Sequence, residues 1–102
     1  MKKRQFIQLA FISLIVIVSM VYYSQSKINK IKKACDGGDA KSCTELGGMY
    51  YKGEGVSQDN AKAVQLFKKG CDGGDALGCS NLGVSYENGK GVTQDKVKAV
   101  QL

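Results

Sequence analysis

Four cysteines are the residues best placed to do chemistry in this 102-residue chain, and the absence of histidine limits what that chemistry can be. Cys35 and Cys43 stand eight apart, as do Cys71 and Cys79. Without histidine, a Ser-His-Asp triad, a Cys-His pair and every mixed Cys/His zinc site are excluded. A zinc site built from all four cysteines is the rival use, but it calls for closely spaced Cys knuckles that these separations do not provide. Disulfides are the better use, and they persist outside the reducing cytosol. A Ser-x-x-Lys pattern at Ser24 and Lys27 carries the other possible chemistry, a lysine activating a nucleophilic serine. No Ser-Asp-Asn or Lys-Thr-Gly accompanies it, so it reads as coincidence and the catalytic residues stay unknown. No metal or cofactor is expected.

The elements that must hold the cysteines are legible as a duplication. Cys-Asp-Gly-Gly-Asp-Ala begins at Cys35 and again 36 residues later at Cys71, and 20 of the 32 pairs between residues 35–66 and 71–102 are identical. Each unit reads as two helices. Cys43, Leu46, Gly47 and Tyr50 share one helical stripe, and Ala63, Leu66, Phe67 and Gly70 share the next. Asp39 and Asp59 stand at the starts as N-caps. Gly53 and Gly55 end the first helix, Val56 plugs the space between the two, and Gly73-Gly74 closes the second. Gly47 and Gly83 lie mid-helix, where glycine costs about 1 kcal/mol against alanine, which predicts close helix–helix approach. The aspartates Asp36, Asp72, Asp75 and Asp95 fall in turns and read as caps. Tyr50 and Tyr86 read as core or groove lining.

The Gly-Gly-Asp turn folds each helix back on its predecessor. That brings Cys35 near Cys43 and Cys71 near Cys79, within the 4.4–6.8 Å between Cα atoms that a disulfide needs. Duplication selects this pairing, since each copy carries its own pair. Each bridge closes a short loop, worth roughly 2.5 kcal/mol on a chain-entropy estimate, in a chain too small to rely on its core alone.

The N-terminus is of another kind. Phe6 to Tyr23 is apolar apart from Gln8, Ser13 and Ser19, and as a helix it spans about 27 Å, enough to cross a bilayer. Residues 1–25 are therefore a signal peptide or a membrane anchor; Ser24-Gln25-Ser26 is a tolerable cleavage site, and both readings place the rest of the chain outside the cytoplasm. Residues 26–34 match the second helix of a unit, with Ile28 on Val64, Ile31 on Phe67 and Lys32-Lys33 on Lys68-Lys69, and read as a partial capping helix. Residues 35–70 are the first repeat and 71–102 the second, truncated at Leu102, which points to a fragment of a longer array or to association through that end. The net charge of +6 is uneven: Lys2, Lys3, Arg4, Lys27, Lys30, Lys32 and Lys33 flank the apolar run without an acid, whereas residues 35–102 are near neutral. That distribution fits a membrane segment and excludes a nucleic-acid face, which would cluster bases on the folded part.

The run Leu46-Gly47-x-x-Tyr50-x-x-Gly53-x-Gly55-Val56-x-Gln58-Asp59, followed by Lys62-Ala63, resembles the Sel-one-like repeat family, relatives of the tetratricopeptide repeats. The period and the cysteine pairs look like the Helicobacter cysteine-rich protein family. The resemblance covers residues 35–102 and, weakly, 26–34. It implies an all-α fold, an α/α superhelix of disulfide-stapled helical hairpins behind one hydrophobic N-terminal helix. It also implies secretion or periplasmic residence, and a β-lactamase or penicillin-binding activity.

Two functions follow. One is an exported scaffold that binds a protein or peptide on a concave face. Its groove candidates are positions that differ between copies over a fixed framework: Lys41 and Leu77, Met49 and Ser85, Tyr51 and Glu87. The alternative, implied by the resemblance, is hydrolysis of a β-lactam, with β-lactams or cell-wall peptidoglycan as ligand. A remnant of a longer gene is a third possibility.

Overall fold

The computed structural model describes residues 2–102, with side-chain surroundings from residue 8 onward. Five helices follow one another: α1 (Lys2–Asp36), α2 (Ala40–Lys52), α3 (Asn60–Asp72), α4 (Ala76–Asn88) and α5 (Lys96–Gln101). Each packs on the next, and α2 also reaches α4. The described residues therefore form an all-α superhelix of hairpins.

The apolar segment and the stretch 26–34 form one unbroken helix, α1. No Gly or Pro lies between Phe6 and Ala34 to interrupt it. Among the described residues α1 is the one helix long and apolar enough to cross a membrane, and none of that stretch is buried. Its C-terminal end is different. Ile28 and Cys35 are buried, and through them α1 covers α2.

Both return bends repeat from copy to copy. At the Gly-Gly turns, Asp39 N–H donates to Ala34 O at 3.0 Å and Asp75 N–H to Gly70 O at 2.9 Å. Across these turns the structure bridges Cys35 to Cys43, with Cα atoms 4.6 Å apart, and Cys71 to Cys79, at 4.4 Å. At the longer bends, Gly53 and Gly89 end α2 and α4 in the left-handed region, at φ 71° and 67°. A side chain is strained there, and glycine is the usual solution. The chain then returns through Gln58-Asp59 and Gln94-Asp95. Gln58 Nε2 donates to Tyr51 O at 2.9 Å and Gln94 Nε2 to Glu87 O at 2.8 Å. Asp59 Oδ1 accepts from Lys62 N–H and Asp95 Oδ1 from Lys98 N–H, both at 3.0 Å. The ammonium groups of Lys62 and Lys98 then lie over the rings of Tyr50 and Tyr86, each 4.8 Å from the centroid. The polar residues of the repeated motif are thus spent on closing the hairpin.

Asp39 and Asp75 depart from the capping expectation. Both take the N-cap position, at φ −75° and −85°, but neither side chain caps a backbone N–H. Asp59 and Asp95, which do cap, are more extended, at φ −149° and −148°. The Asp39 carboxylate instead accepts from Ser42 Oγ at 2.9 Å.

The core is a cluster of Ala63, Val64, Phe67 and Leu82, flanked by Tyr50, Cys71, Tyr86 and Val92. Gly47 faces it. A Cβ at Gly47 would stand 2.8 Å from the Phe67 ring and 3.1 Å from Ala63 O, so the close approach expected from the repeated mid-helix glycine is real. Thr44 is buried where α2, α3 and α4 meet. Gly70 and Gly78 leave the room it occupies: a Cβ on Gly78 would lie 2.7 Å from Thr44 Oγ1, and one on Gly70 would run into the same oxygen.

Neighbouring glycines therefore have opposite roles. Gly47→Ala overpacks the α2–α3 contact and lowers stability by about 1–3 kcal/mol. Gly48→Ala meets nothing within 4 Å and gains up to about 1 kcal/mol of helix propensity. Urea unfolding followed by circular dichroism checks the pair, and shifts of the same sign contradict the packing described.

Candidate groove between α2 and α4

The first helix of each unit presents two faces. Cys43, Leu46 and Gly47 turn inward and are buried. Lys41, Glu45, Gly48 and Lys52 lie at i, i+4, i+7 and i+11, one stripe along α2. Leu77, Asn81 and Val84 make the equivalent stripe on α4, each 36 residues after its counterpart. The two stripes line a groove of about 590 Å³, with Lys27 contributing from α1 and Lys90 from beyond α4. All three positional pairs differ between copies: lysine becomes leucine, glutamate becomes asparagine, glycine becomes valine. The α2 wall is consequently charged and the α4 wall largely apolar. Leu77 is 61% exposed and Val84 47%, side chains held in water over a fixed framework.

Of the six candidates named from sequence, Lys41, Met49, Tyr51, Leu77 and Ser85 line this groove. Ser85 does so only as wall, since it is buried and its hydroxyl donates to Asn81 O at 2.9 Å. Glu87 lies elsewhere, on a cavity of about 810 Å³ shared by α4 and α5. Glu45, Asn81, Gly48 and Val84 were missed. The signal was present, because these positions differ between copies and repeat at helical spacing with Lys41 and Leu77.

The groove also contains Asp75, at the start of α4. Its Oδ2 is out of solvent and has no hydrogen-bond partner among the described residues. A buried acceptor left in that state is costly, and a donor on a bound molecule would satisfy it. Ser24 and Lys27 lie one helical turn apart on α1. Both are exposed on α1, but Lys27 turns to the groove whereas Ser24 sits beside Tyr23 on the apolar half of the helix. Nothing in this arrangement supports the β-lactamase alternative. The four cysteines are consumed by the two bridges, leaving no thiolate for a metal or a nucleophile.

A family model, the Sel1 repeat, matches residues 40–75 and 76–102. The chain belongs to the Sel1 repeat family. The matched Sel1 units open at Ala40 and Ala76, five residues after the cysteine that opens each copy, so they keep the 36-residue period in a different phase. Among solved structures, Helicobacter pylori cysteine-rich protein B is 35% identical, with a TM-score of 0.73, over 76% of this chain and 58% of its own. A protective antigen of uropathogenic Escherichia coli with an SLR fold is also 35% identical, at TM-score 0.73, over 78% of this chain and 17% of its own. A Sel1 repeat protein from Oxalobacter formigenes is 34% identical, at TM-score 0.71, over 76% and 31%. The chain thus spans little more than half of the first relative and less of the others. No curated protein matches it. One bridge ties α1 to the first matched unit and the other ties the first unit to the second. These disulfides and a hydrophobic N-terminal helix fit an exported protein.

The two bridges differ in access. Cys35 and Cys43 are each 1% exposed, while Cys71 and Cys79 are only partly covered. Attack on a disulfide depends on reaching its sulfur. Limited reduction with a soluble thiol, followed by alkylation and peptide mass mapping, is expected to label Cys71 and Cys79 first. Equal labelling of both pairs contradicts the burial described.

Proposed function

We propose that the chain is an exported scaffold, anchored in the membrane by α1, which holds a protein or peptide segment in the groove between α2 and α4. The observation that carries this reading is the coincidence of sequence difference and position. The hairpin closures, caps and core are kept from copy to copy, while every position of the facing stripes Lys41–Glu45–Gly48 and Leu77–Asn81–Val84 differs. Framework residues are constrained by folding alone. Of the twelve pairs that differ between residues 35–66 and 71–102, five line the groove at both members: Lys41/Leu77, Glu45/Asn81, Gly48/Val84, Met49/Ser85 and Glu54/Lys90. Variable positions gathered over a fixed framework favour a recognition surface. An apolar wall opposite a charged one suits a segment that buries one side chain against Leu77 and Val84 and pairs others with Lys41, Glu45 or Lys52. Asp75 offers an acceptor for a donor on that segment.

Retention of α1 is favoured by its continuity. Ser24-Gln25-Ser26 lies inside a helix that is fixed at its far end by Ile28 and the Cys35 bridge, and proteolytic sites concentrate in exposed loops rather than helix interiors. Membranes from producing cells are expected to retain the chain through alkaline carbonate extraction, at the intact mass of the full sequence. Release at a mass lacking residues 1–25 overturns the anchor.

The groove is tested by a photo-crosslinking residue at Leu77 or Val84, compared with one at Lys68 on the outer surface of α3. A discrete adduct is expected from the groove positions alone. The double substitution Leu77→Glu and Val84→Lys is expected to lower the yield of the adduct formed from a photo-crosslinking residue at Gly48 about tenfold or more, the loss of one or two anchoring contacts. Both residues are exposed, so the melting curve is expected to stay within about 0.5 kcal/mol of wild type. Crosslinking of equal yield from Lys68 contradicts the groove.

A further inference from the structure

The lysines that follow the apolar run stand on the wrong side of it for a topology signal. Bridged cysteines place residues 35 onward outside the cytosol, and basic residues near a membrane segment favour the cytoplasmic side. Lys2, Lys3 and Arg4 obey that preference. Lys27, Lys30, Lys32 and Lys33 run against it, and no carboxylate precedes Asp36 in the chain. Lys27 alone of the four shares the groove with Glu45, Glu54 and Asp75.

Repeat inheritance accounts for only half of this set. Lys32-Lys33 are copies of Lys68-Lys69, but Lys27 and Lys30 occupy the positions that Ala63 and Leu66 hold in the next unit. Ala63 is 0% exposed and Leu66 half-buried, so the template is apolar where α1 carries charge. The reason for an outward-facing polar side is plain: among the described residues α1 packs on α2 and on no other helix. A capping face needs polarity, but polarity alone does not call for lysine at both positions. All four lysines are exposed.

Their height above the bilayer completes the case. Because α1 is unbroken, they rise about 6, 10, 13 and 15 Å beyond Tyr23 along the helix axis, at 1.5 Å per residue. Each headgroup layer is roughly 5–8 Å deep, and screening at physiological salt acts over about 8 Å. With Tyr22-Tyr23 at the interface, Lys27 lies within the headgroups and Lys30 at their edge, while Lys32 and Lys33 lie within one screening length of them.

We propose that Lys27 and Lys30, supported by Lys32 and Lys33, form a basic collar that binds the anionic phosphate headgroups of the outer face of the membrane and holds the repeat domain against it. The collar rests on α1 being retained as the anchor, and the carbonate extraction above tests that reading by itself.

The test uses the full chain in vesicles of phosphatidylcholine, with and without phosphatidylglycerol, and reads lysine acylation rates by mass spectrometry. Anionic lipid is expected to slow acylation of Lys27 and Lys30 about threefold or more, reversibly by raised salt, as for other basic segments beside a membrane. Lys68 and Lys69, at the same repeat positions as Lys32-Lys33 but on α3, are expected to react alike in both vesicles. Equal rates for Lys27 and Lys30 in the two vesicles overturn the collar, as does equal slowing at Lys68 and Lys69. Protection by soluble glycerol phosphate in phosphatidylcholine vesicles overturns headgroups as the occupant. In the variant Lys27→Gln, Lys30→Gln, the lipid effect on Lys32 and Lys33 is expected to shrink; an undiminished effect also counts against the assignment.

Discussion

A covalent pin at every tight return bend is the constraint on which the rest of the structure depends. Two helices meeting across a Gly-Gly-Asp turn could splay at many angles, since the three backbone bonds of each turn, to Lys33, Ala34 and Cys35 or to Lys69, Gly70 and Cys71, all run to carbonyls of the preceding helix. Holding Cα atoms 4.6 and 4.4 Å apart by a bridge removes that freedom. The bridges also restrict the phase of α2 relative to α1 and of α4 relative to α3, and with it which stripe of each helix faces inward. The cluster around Ala63, Phe67 and Leu82 is small, as it must be in so short a chain, and cannot by itself impose one arrangement. The Cys35–Cys43 bridge also ties α1 to the repeats, because Cys35 closes the helix that begins in the apolar run.

Once the phase is set, the labour divides cleanly among residue types. Glycines at 47, 70 and 78 permit close contact where a Cβ would collide with Phe67 or Thr44. Gln58, Asp59 and Lys62, with their copies Gln94, Asp95 and Lys98, close the longer bends by three polar interactions each. These residues carry the family resemblance, and all of them are occupied in building the hairpin. The outward stripes of α2 and α4 and the lysines of α1 lie outside that pattern, and it is on these positions that the proposed roles rest.

This division explains what was legible in the sequence. The period, the two stripes per unit, the disulfide pairing and the capping by Asp59 and Asp95 all follow from spacing, because they depend on contacts between near neighbours along the chain. Capping by Asp39 and Asp75 did not follow, because their side-chain geometry depends on a φ that differs by more than 60° from that of Asp59. The groove was half legible. Differences between copies picked out Lys41 and Leu77, but whether Tyr51, Ser85 or Glu87 shares their face depends on how α2 and α4 are rotated about their axes. Ser85 turns its hydroxyl back to Asn81 and Glu87 faces α5, while Glu45, Gly48, Asn81 and Val84 take the places between.

The central claim is tested most directly by urea unfolding of the detergent-solubilised full chain, followed by helical circular dichroism with the cysteines bridged and after complete reduction and alkylation. Two bridges at about 2.5 kcal/mol each amount to most of the stability of a domain this size. The account predicts a cooperative transition in the bridged chain, and in the reduced chain residual helix from the apolar segment with no cooperative transition of the repeats. Superimposable transitions in the two forms would show that packing alone sets the helices, and would contradict it.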